Sequence, residues 1–238
     1  RQAEPAPADS GYGTPADVVA TMADNFAGLR AEGEALGVSG DRIEALARWF
    51  DRFEQERAGL LAARCEGGFI RECHGDLHLA NMALLEGEVV PFDAIEFNPD
   101  LRFTDVMADV AFTRMDLDYR DRPALGTRFL NTYLERSGDY AGVAVLPFYE
   151  AYRALVRAKV EALTAHDADD PASHREAAAH YVGQAEGYTE AGRPLLALTR
   201  GVTGVGKSLV SGGVVTELRG VRIRSDVERK RLAGVDPE

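Results

Sequence analysis

The sequence predicts an α+β fold, in which a mostly helical body carries one β-hairpin and leads into an incomplete α/β segment. Three observations predict it. Apolar residues recur at helical spacing through long segments, two short apolar runs flank a turn at residues 86–88, and a third apolar run at 194–199 enters a glycine-rich loop. The change of pattern divides the chain into two predicted units, residues 1–192 and 193–238.

The first part of the chain predicts two helices. Residues 1–15 are rich in Pro, Ala and Gly and predict a loose lead-in, followed by a helix over 17–29. A stronger helix over 41–64 carries an apolar stripe that we expect in the core: Ile43, Leu46, Ala47, Phe50, Phe53, Leu60 and Leu61.

The middle of the chain predicts a compact β unit and then helices. Strands are expected over 69–73, 82–85 and 89–92, with the loop 74–81 before the hairpin and Asp93 just beyond it. Apolar periodicity predicts helices near 104–115, 123–136, 147–165 and 173–191, with a loop over 166–171. Asp105 and Asp109 are one helical turn apart, and we expect this pair to brace the loop.

The last part of the chain has the pattern of an α/β unit. The apolar run 194–199 predicts a buried strand, a helix is expected to open at about Lys207, and residues 221–224 predict a second short strand. A parallel sheet that stops there leaves apolar edges without cover. We therefore expect residues 194–238 to pack irregularly, lean on the helical half or pair with another chain.

Composition excludes several classes of protein. The net charge of −12 argues against a general nucleic-acid binder, and no stretch of about 18 uninterrupted apolar residues predicts a membrane span. The acidic body suits a cationic small molecule, although acidic surfaces also keep proteins soluble. Cys65 and Cys73 do not form a disulfide framework, which favours a cytoplasmic location.

Residues 74–81, His-Gly-Asp-Leu-His-Leu-Ala-Asn, contain the groups that phosphoryl transfer requires. One carboxylate must face an incoming hydroxyl, and oxygen ligands must hold Mg²⁺ beside the phosphates. Asp76, Asn81 and Asp93 supply this set. The alternative is that Asp76 caps a turn and Asn81 fills one.

This motif, followed by Phe-Asp-Ala-Ile-Glu-Phe at 92–97, resembles the aminoglycoside phosphotransferase family of kinase-like proteins. The resemblance implies a protein-kinase-like large lobe, with Asp76 as catalytic base and with Asn81 and Asp93 as Mg²⁺ ligands. The histidines of the motif would shape the loop. Such folds bind ATP with a lysine of a strand-rich small lobe. Residues 1–75 contain no lysine, so we expect that lobe to lie N-terminal to Arg1.

Residues 201–208 match the Gly-x4-Gly-Lys-Ser pattern of a P-loop. Backbone N–H groups at Gly201, Gly204 and Gly206 would cradle phosphates, Lys207 would reach the β- and γ-phosphates, and the Ser208 hydroxyl would bind Mg²⁺. The alternative is a chance match in a glycine-rich chain.

The residues after 224 resemble P-loop kinases of small molecules and polynucleotides. The resemblance implies that Asp226 meets the acceptor hydroxyl and that Arg229 contacts phosphate. A helix N-cap by Ser225 or Asp226, with a solvated basic face behind it, explains the pattern equally well. The order of the two units also resembles a bacterial fusion of two kinase domains, each incomplete in this chain.

These observations lead us to expect a phosphotransferase that uses ATP and Mg²⁺ and acts on a hydroxyl of a small molecule. We expect no nucleic-acid or membrane partner, and the sequence does not fix the oligomeric state. The alternatives are a non-catalytic nucleotide-binding or regulatory protein, and a P-loop ATPase without an acceptor. Because both nucleotide sites look incomplete, we expect this chain alone to be nearly inactive.

Overall fold

The computed structural model describes residues 3–7, 10–190, 192, 194–202 and 204–235. Most of them are helical, and the strands are short. The helices are α1 Pro15–Glu32, α2 Gly40–Glu66, α3 Pro99–Arg102, α4 Val106–Tyr119, α5 Pro123–Ser137, α6 Leu146–Thr164, α7 Pro171–Thr189, α8 Lys207–Glu217 and α9 Ser225–Leu232. The strands are β1 Ile70–Glu72, β2 Met82–Leu85, β3 Glu88–Pro91 and β4 Phe103–Asp105.

The core forms where α1, α2, α4, α6 and α7 pack together. Phe50 of α2 lies at its centre, 5.4 Å from Phe26 of α1 and 5.0 Å from Phe148 of α6 between ring centroids. In α4, every residue from 107 to 117 is buried. A helix that is buried on all sides normally carries few polar residues, so the polar side chains of α4 require a structural explanation.

The two small sheets are both antiparallel. β2 and β3 form the predicted hairpin, with Met82 opposite Pro91 and Leu85 opposite Glu88. Glu86 and Gly87 both have positive φ, 52° and 88°, which is the requirement of a tight hairpin turn. β1 pairs instead with β4, a strand within a segment for which the sequence predicts a helix.

A buried ion-pair network fixes the start of α4. The Arg64 guanidinium of α2 donates to both carboxylate oxygens of Asp105, at 2.5 and 2.7 Å, and to those of Asp139 at 2.8 Å. Asp105 also accepts the N–H of Met107 and so caps the helix. The expectation that Asp105 braces the loop 74–81 is therefore wrong, because its carboxylate is committed to Arg64.

The predicted helices and the hairpin are confirmed, whereas the two strands of the C-terminal segment are not. Residues 194–199 and 221–224 have no strand structure, and Leu195, Leu196 and Leu198 are at least 74% exposed. An apolar run becomes a buried strand only when neighbouring strands pair with it and other elements cover it. The described part of the chain offers this run neither kind of neighbour.

The C-terminal segment instead contacts α5, in agreement with the expectation that it would contact the helical half. The Asn131 side chain donates to the carbonyl of Gly220 at 3.0 Å and accepts the N–H of Arg222 at 2.7 Å. Arg222 also forms an ion pair with Glu135 at 2.7 Å, and Arg219 pairs with Asp118. Within the described ranges, no helix is both long and apolar enough to cross a membrane.

Candidate functional site

The loop after β1 turns sharply at Gly75, where only glycine fits. Gly75 has φ +81°, and a Cβ atom there would lie 2.9 Å from the carbonyl oxygen of Leu101 and 3.1 Å from Ile95 Cδ1. Just before it, the N–H of Cys73 donates to the carbonyl of Arg102 at 2.9 Å. The loop therefore packs tightly against the α3–β4 segment. This contact fixes the position of the next residue, Asp76.

Asp109 of α4 anchors the first part of this loop. Its two carboxylate oxygens accept the N–H groups of His74, at 2.7 Å, and Gly75, at 3.0 Å. Burial raises the pKa of Asp109, while the charge of Arg153 and these two hydrogen bonds favour the ionised form. The expectation that Asp109 braces the loop is confirmed.

Two further polar residues of α4 hold the second part of the loop. The Thr113 hydroxyl donates to the carbonyl of Leu77 at 2.8 Å, and Asp116 accepts the N–H of Leu79 at 2.8 Å. Residues 109, 113 and 116 share one face of the helix because of their spacing. Sequence reasoning missed Thr113 and Asp116, although polar residues inside a fully buried helix were the available signal.

Asp76 and Asn81 meet at the two ends of the loop. The side-chain nitrogen of Asn81 donates to Asp76 Oδ2 at 2.9 Å and to the Asp76 carbonyl at 3.0 Å. Both bonds use the amide nitrogen. The Asn81 amide oxygen accepts no hydrogen bond from the described residues. Asn81 is buried, whereas the Asp76 side chain is 37% exposed.

The Asp76 carboxylate is held in its ionised form. Burial acts to raise the pKa of Asp76, but the His78 ring, the Asn81 amide and the charge of Arg153 outweigh it, and the pKa lies below its usual value. His78 Nε2 lies 3.4 Å from Asp76 Oδ2. Among the described residues, no donor contacts Oδ1, so this oxygen can accept a hydrogen bond from a ligand.

The two histidine rings contact the backbone around Asp76. His74 Nε2 lies 2.8 Å from the carbonyl oxygen of Phe92, and its Nδ1 accepts the N–H of Asp76 at 3.4 Å. His78 Nδ1 accepts the N–H of Ala80 at 3.3 Å. One neutral tautomer of each ring, with hydrogen on Nε2, satisfies these contacts. Both rings therefore act on the shape of the loop.

Asp93 lies where the chain returns from the hairpin to this loop. The N–H of Phe92 donates to the Asn81 carbonyl, and the N–H of Ile95 donates to the His74 carbonyl, both at 3.0 Å. Asp93 itself is exposed and has φ 60°. Residues other than glycine rarely adopt a positive φ, and such positions cluster at functional sites. The structure thus brings the backbone of Asp93 beside those of Asn81 and His74.

This arrangement brings the Asp76 carboxylate into contact with the Asn81 amide and places the backbone at Asp93 next to the same loop. Carboxylate and amide oxygens are suitable Mg²⁺ ligands. A cluster of three or more His, Cys, Asp or Glu side chains that could hold a metal does not occur in the described ranges. The predicted set has only two carboxylates, so a metal held by this set would need the Asn81 amide oxygen as its third protein ligand.

In the glycine-rich loop 201–208, the lysine side chain forms hydrogen bonds with carbonyl groups of the loop itself. Lys207 Nζ donates to the carbonyls of Gly201 and Val202, both at 2.7 Å. Gly204 and Gly206 have positive φ of 84° and 88°, and α8 begins directly afterwards at Lys207. The helix after the loop is thus present, but the strand expected before it is not.

Ser208, Asp226 and Arg229 do not converge in the described contacts. Ser208 is exposed in the first turn of α8. Asp226 lies in the first turn of α9 and pairs with Arg224 at 2.8 Å, which lowers the pKa of Asp226. Arg229 donates to the carbonyl of Ser225 at 3.1 Å. Arg222, which precedes α9, connects this part of the chain to the end of the glycine-rich loop, because it donates to the Ser208 carbonyl at 3.4 Å.

Comparison with known proteins finds relatives in mycobacteria. The chain is 37% identical over 209 residues to the uncharacterized protein Rv2004c of Mycobacterium tuberculosis (strain H37Rv) and to the uncharacterized protein Mb2027c of Mycobacterium bovis. The match includes 88% of this chain but only 41% of each relative's length. No family model matches the chain, and no solved structure matches it. The chain is therefore similar to one part of longer mycobacterial proteins.

Proposed function

We propose that this chain forms the large lobe of a kinase-like phosphotransferase that uses ATP and Mg²⁺ to phosphorylate a hydroxyl of a small molecule. One observation carries the proposal: a single braced loop pairs Asp76 with Asn81 and lies against the return of the hairpin at Asp93. The resemblance of this motif to the aminoglycoside phosphotransferase family supports it. Because the chain spans 41% of its relatives' length, the activity is proposed for the whole protein.

In this proposal Asp76 orients the acceptor and receives its proton. The lowered pKa of Asp76 keeps the side chain an acceptor at neutral pH. Its Oδ1 faces the substrate hydroxyl while Oδ2 remains bonded to Asn81. The hydrogen bond from Asn81 also fixes the carboxylate plane, which contributes to the positioning on which phosphoryl transfer depends.

Asn81 and Asp93 would hold the metal, with the Asn81 amide oxygen and the exposed Asp93 carboxylate as ligands. Bound Mg²⁺ would neutralise charge on the phosphates. The residues present fit this role because both groups are hard oxygen donors on a backbone that hydrogen bonds hold together. The backbone strain at Asp93 is consistent with a position retained for a ligand.

The glycine-rich loop is proposed as a second phosphate-binding element. Its glycines supply the positive φ values that such a loop needs, and α8 starts at its end. Lys207 Nζ donates to the carbonyls of Gly201 and Val202, and in this proposal it would reach the phosphates from this position. In the same proposal, Asp226 would meet the acceptor hydroxyl and Arg229 would contact phosphate.

Product analysis separates this function from the two alternatives, a non-catalytic nucleotide-binding protein and an ATPase. The full-length protein is incubated with ATP, Mg²⁺ and a panel of small hydroxyl compounds, including cationic ones. A phosphorylated acceptor supports the proposal, free phosphate alone indicates an ATPase, and neither product indicates a binding protein. Asp76→Ala should reduce acceptor phosphorylation by about 10²–10⁴-fold and leave ATP affinity nearly unchanged. Unchanged turnover in that variant would move the chemistry to the glycine-rich loop.

A further inference from the structure

A pocket lies between α1 and α2, outside the loop that carries Asp76. Its volume is about 170 Å³, and the residues that line it all belong to α1, α2 and α6. An apolar cavity of about 150 Å³ holds a molecule of the size of benzene. The pocket is therefore large enough for one aromatic ring.

The floor of the pocket is apolar and largely aromatic. Phe26, Phe50 and Phe148 line it, with ring centroids 5.4 Å apart for the first pair and 5.0 Å apart for the second. Met22 and Ala47 complete this floor. Each of these five residues is at most 8% exposed. Their side chains form no hydrogen bonds with water, so the floor favours an apolar group.

Two carboxylates lie at the rim of the same pocket. Asp51 and Glu54 line it from positions one turn apart on α2, Asp51 exposed and Glu54 half-buried. Neither side chain forms a hydrogen bond or an ion pair with another residue that the structure describes. Burial and the charge of Asp51 both raise the pKa of Glu54. A cation at this rim would offset both effects.

The third charged residue of the lining, Arg30, is already paired. Its guanidinium donates to both carboxylate oxygens of Glu44, at 2.6 and 3.0 Å. It also lies 5.8 Å from the ring centroid of Phe26, and the charge of Asp51 acts on it without a direct bond. Because Glu44 neutralises Arg30, the rim has an excess of negative charge.

We propose that this pocket binds a small hydrophobic ammonium ion, with its apolar group against the three phenylalanine rings and its ammonium group toward Asp51 and Glu54. The apolar group gains free energy by leaving water, and hydrogen bonds to carboxylates suit the ammonium group. An anionic ligand would instead meet charges of its own sign. The site is separate from the proposed phosphoryl-transfer site and does not depend on that function.

The test is a titration of the isotope-labelled chain followed by NMR at pH 7. The probes are benzylammonium, benzyl alcohol, methylammonium and benzoate at equal ionic strength. Benzylammonium should shift the signals of residues 18–23 and 47–54 in a saturable way, and each of the other probes should bind at least about fivefold more weakly. Equal affinity for benzyl alcohol and benzylammonium, or no saturable shift of these signals at tens of millimolar benzylammonium, would overturn the proposal.

Two pairs of variants locate the ligand. Ala23→Leu enlarges an exposed residue of the lining and should weaken benzylammonium binding at least about tenfold, whereas Ala27→Leu, exposed on the same helix but outside the lining, should not change it. Both variants keep a good helix former in α1. Unchanged binding in Ala23→Leu would place the ligand elsewhere.

The second pair tests the ammonium contact. Glu54→Gln should weaken benzylammonium binding at least about threefold and leave benzyl alcohol binding unchanged. Glu56→Gln, which removes an exposed charge of α2 outside the lining, is the matched control. Equal benzylammonium affinity in Glu54→Gln and Glu56→Gln would contradict the proposed contact.

Discussion

Removing the Asp109 carboxylate should release the loop that carries Asp76. In Asp109→Ala the N–H groups of His74 and Gly75 lose acceptors at 2.7 and 3.0 Å. A hydrogen bond to a charged group contributes about 1.5–3 kcal/mol. Burial of Asp109 opposes its ionisation, so part of this gain is offset. We expect a net destabilisation of about 2–4 kcal/mol.

Thermal unfolding measures this loss of stability for the whole chain, and hydrogen exchange measures it at the loop. For a chain of this size, 2–4 kcal/mol lowers the Tm by roughly 5–15 °C. Amide exchange at His74 and Gly75 should accelerate about 30-fold or more, because 1.4 kcal/mol corresponds to a factor of about ten. The exposed-loop variant Asp169→Asn is the control for loss of one negative charge. If exchange at these two amides stays at the wild-type rate, α4 does not anchor the loop.

Four further outcomes follow from the same geometry. Gly75→Ala should lower the urea midpoint more than Gly87→Ala, because both have positive φ but only Gly75 lacks room for a Cβ atom; equal losses would exclude the steric argument. Calorimetry should show weak ATP binding to this chain that Lys207→Ala abolishes, and tight binding in that variant would mean that the nucleotide site lies elsewhere. Asn131→Ala should speed trypsin cleavage within residues 219–231, and unchanged cleavage would show that α5 does not hold the segment. The lowered pKa of Asp76 means that its ionised form adds stability above about pH 4 that is lost on further acidification, so the stability difference between wild type and Asp76→Asn should stay constant from about pH 5 to pH 8.

Much of the helical half could be predicted from sequence because its signals are local. Helical periodicity located α1, α2 and the helices from α4 to α7. The hairpin followed from the turn at Glu86 and Gly87. Strand β4 was missed because three residues carry little periodic signal, and its formation depends on β1, over 30 residues earlier in the chain.

The motif predicts Asp76, Asn81 and Asp93 as site residues, and the structure places Asp76 in contact with Asn81. The motif does not predict which residues support the loop. The hydrogen bonds that Thr113 and Asp116 form with the loop depend on how α4 packs against it, and no local sequence pattern encodes that contact. The same limit applies to residues 194–199, where an apolar run predicts a strand but cannot show whether a neighbouring strand is present.

The measurement that tests the central claim most directly is paramagnetic broadening by Mn²⁺, which substitutes for Mg²⁺ at oxygen sites. Amide signals of residues 76, 81 and 93 of the labelled chain should broaden together at low Mn²⁺ concentration, and Asp93→Asn should abolish the effect. An exposed acidic stretch, residues 167–170, provides an internal reference for nonspecific binding. Broadening at that stretch without broadening at residues 76, 81 and 93 would contradict a shared metal site and the proposed phosphotransferase mechanism with it.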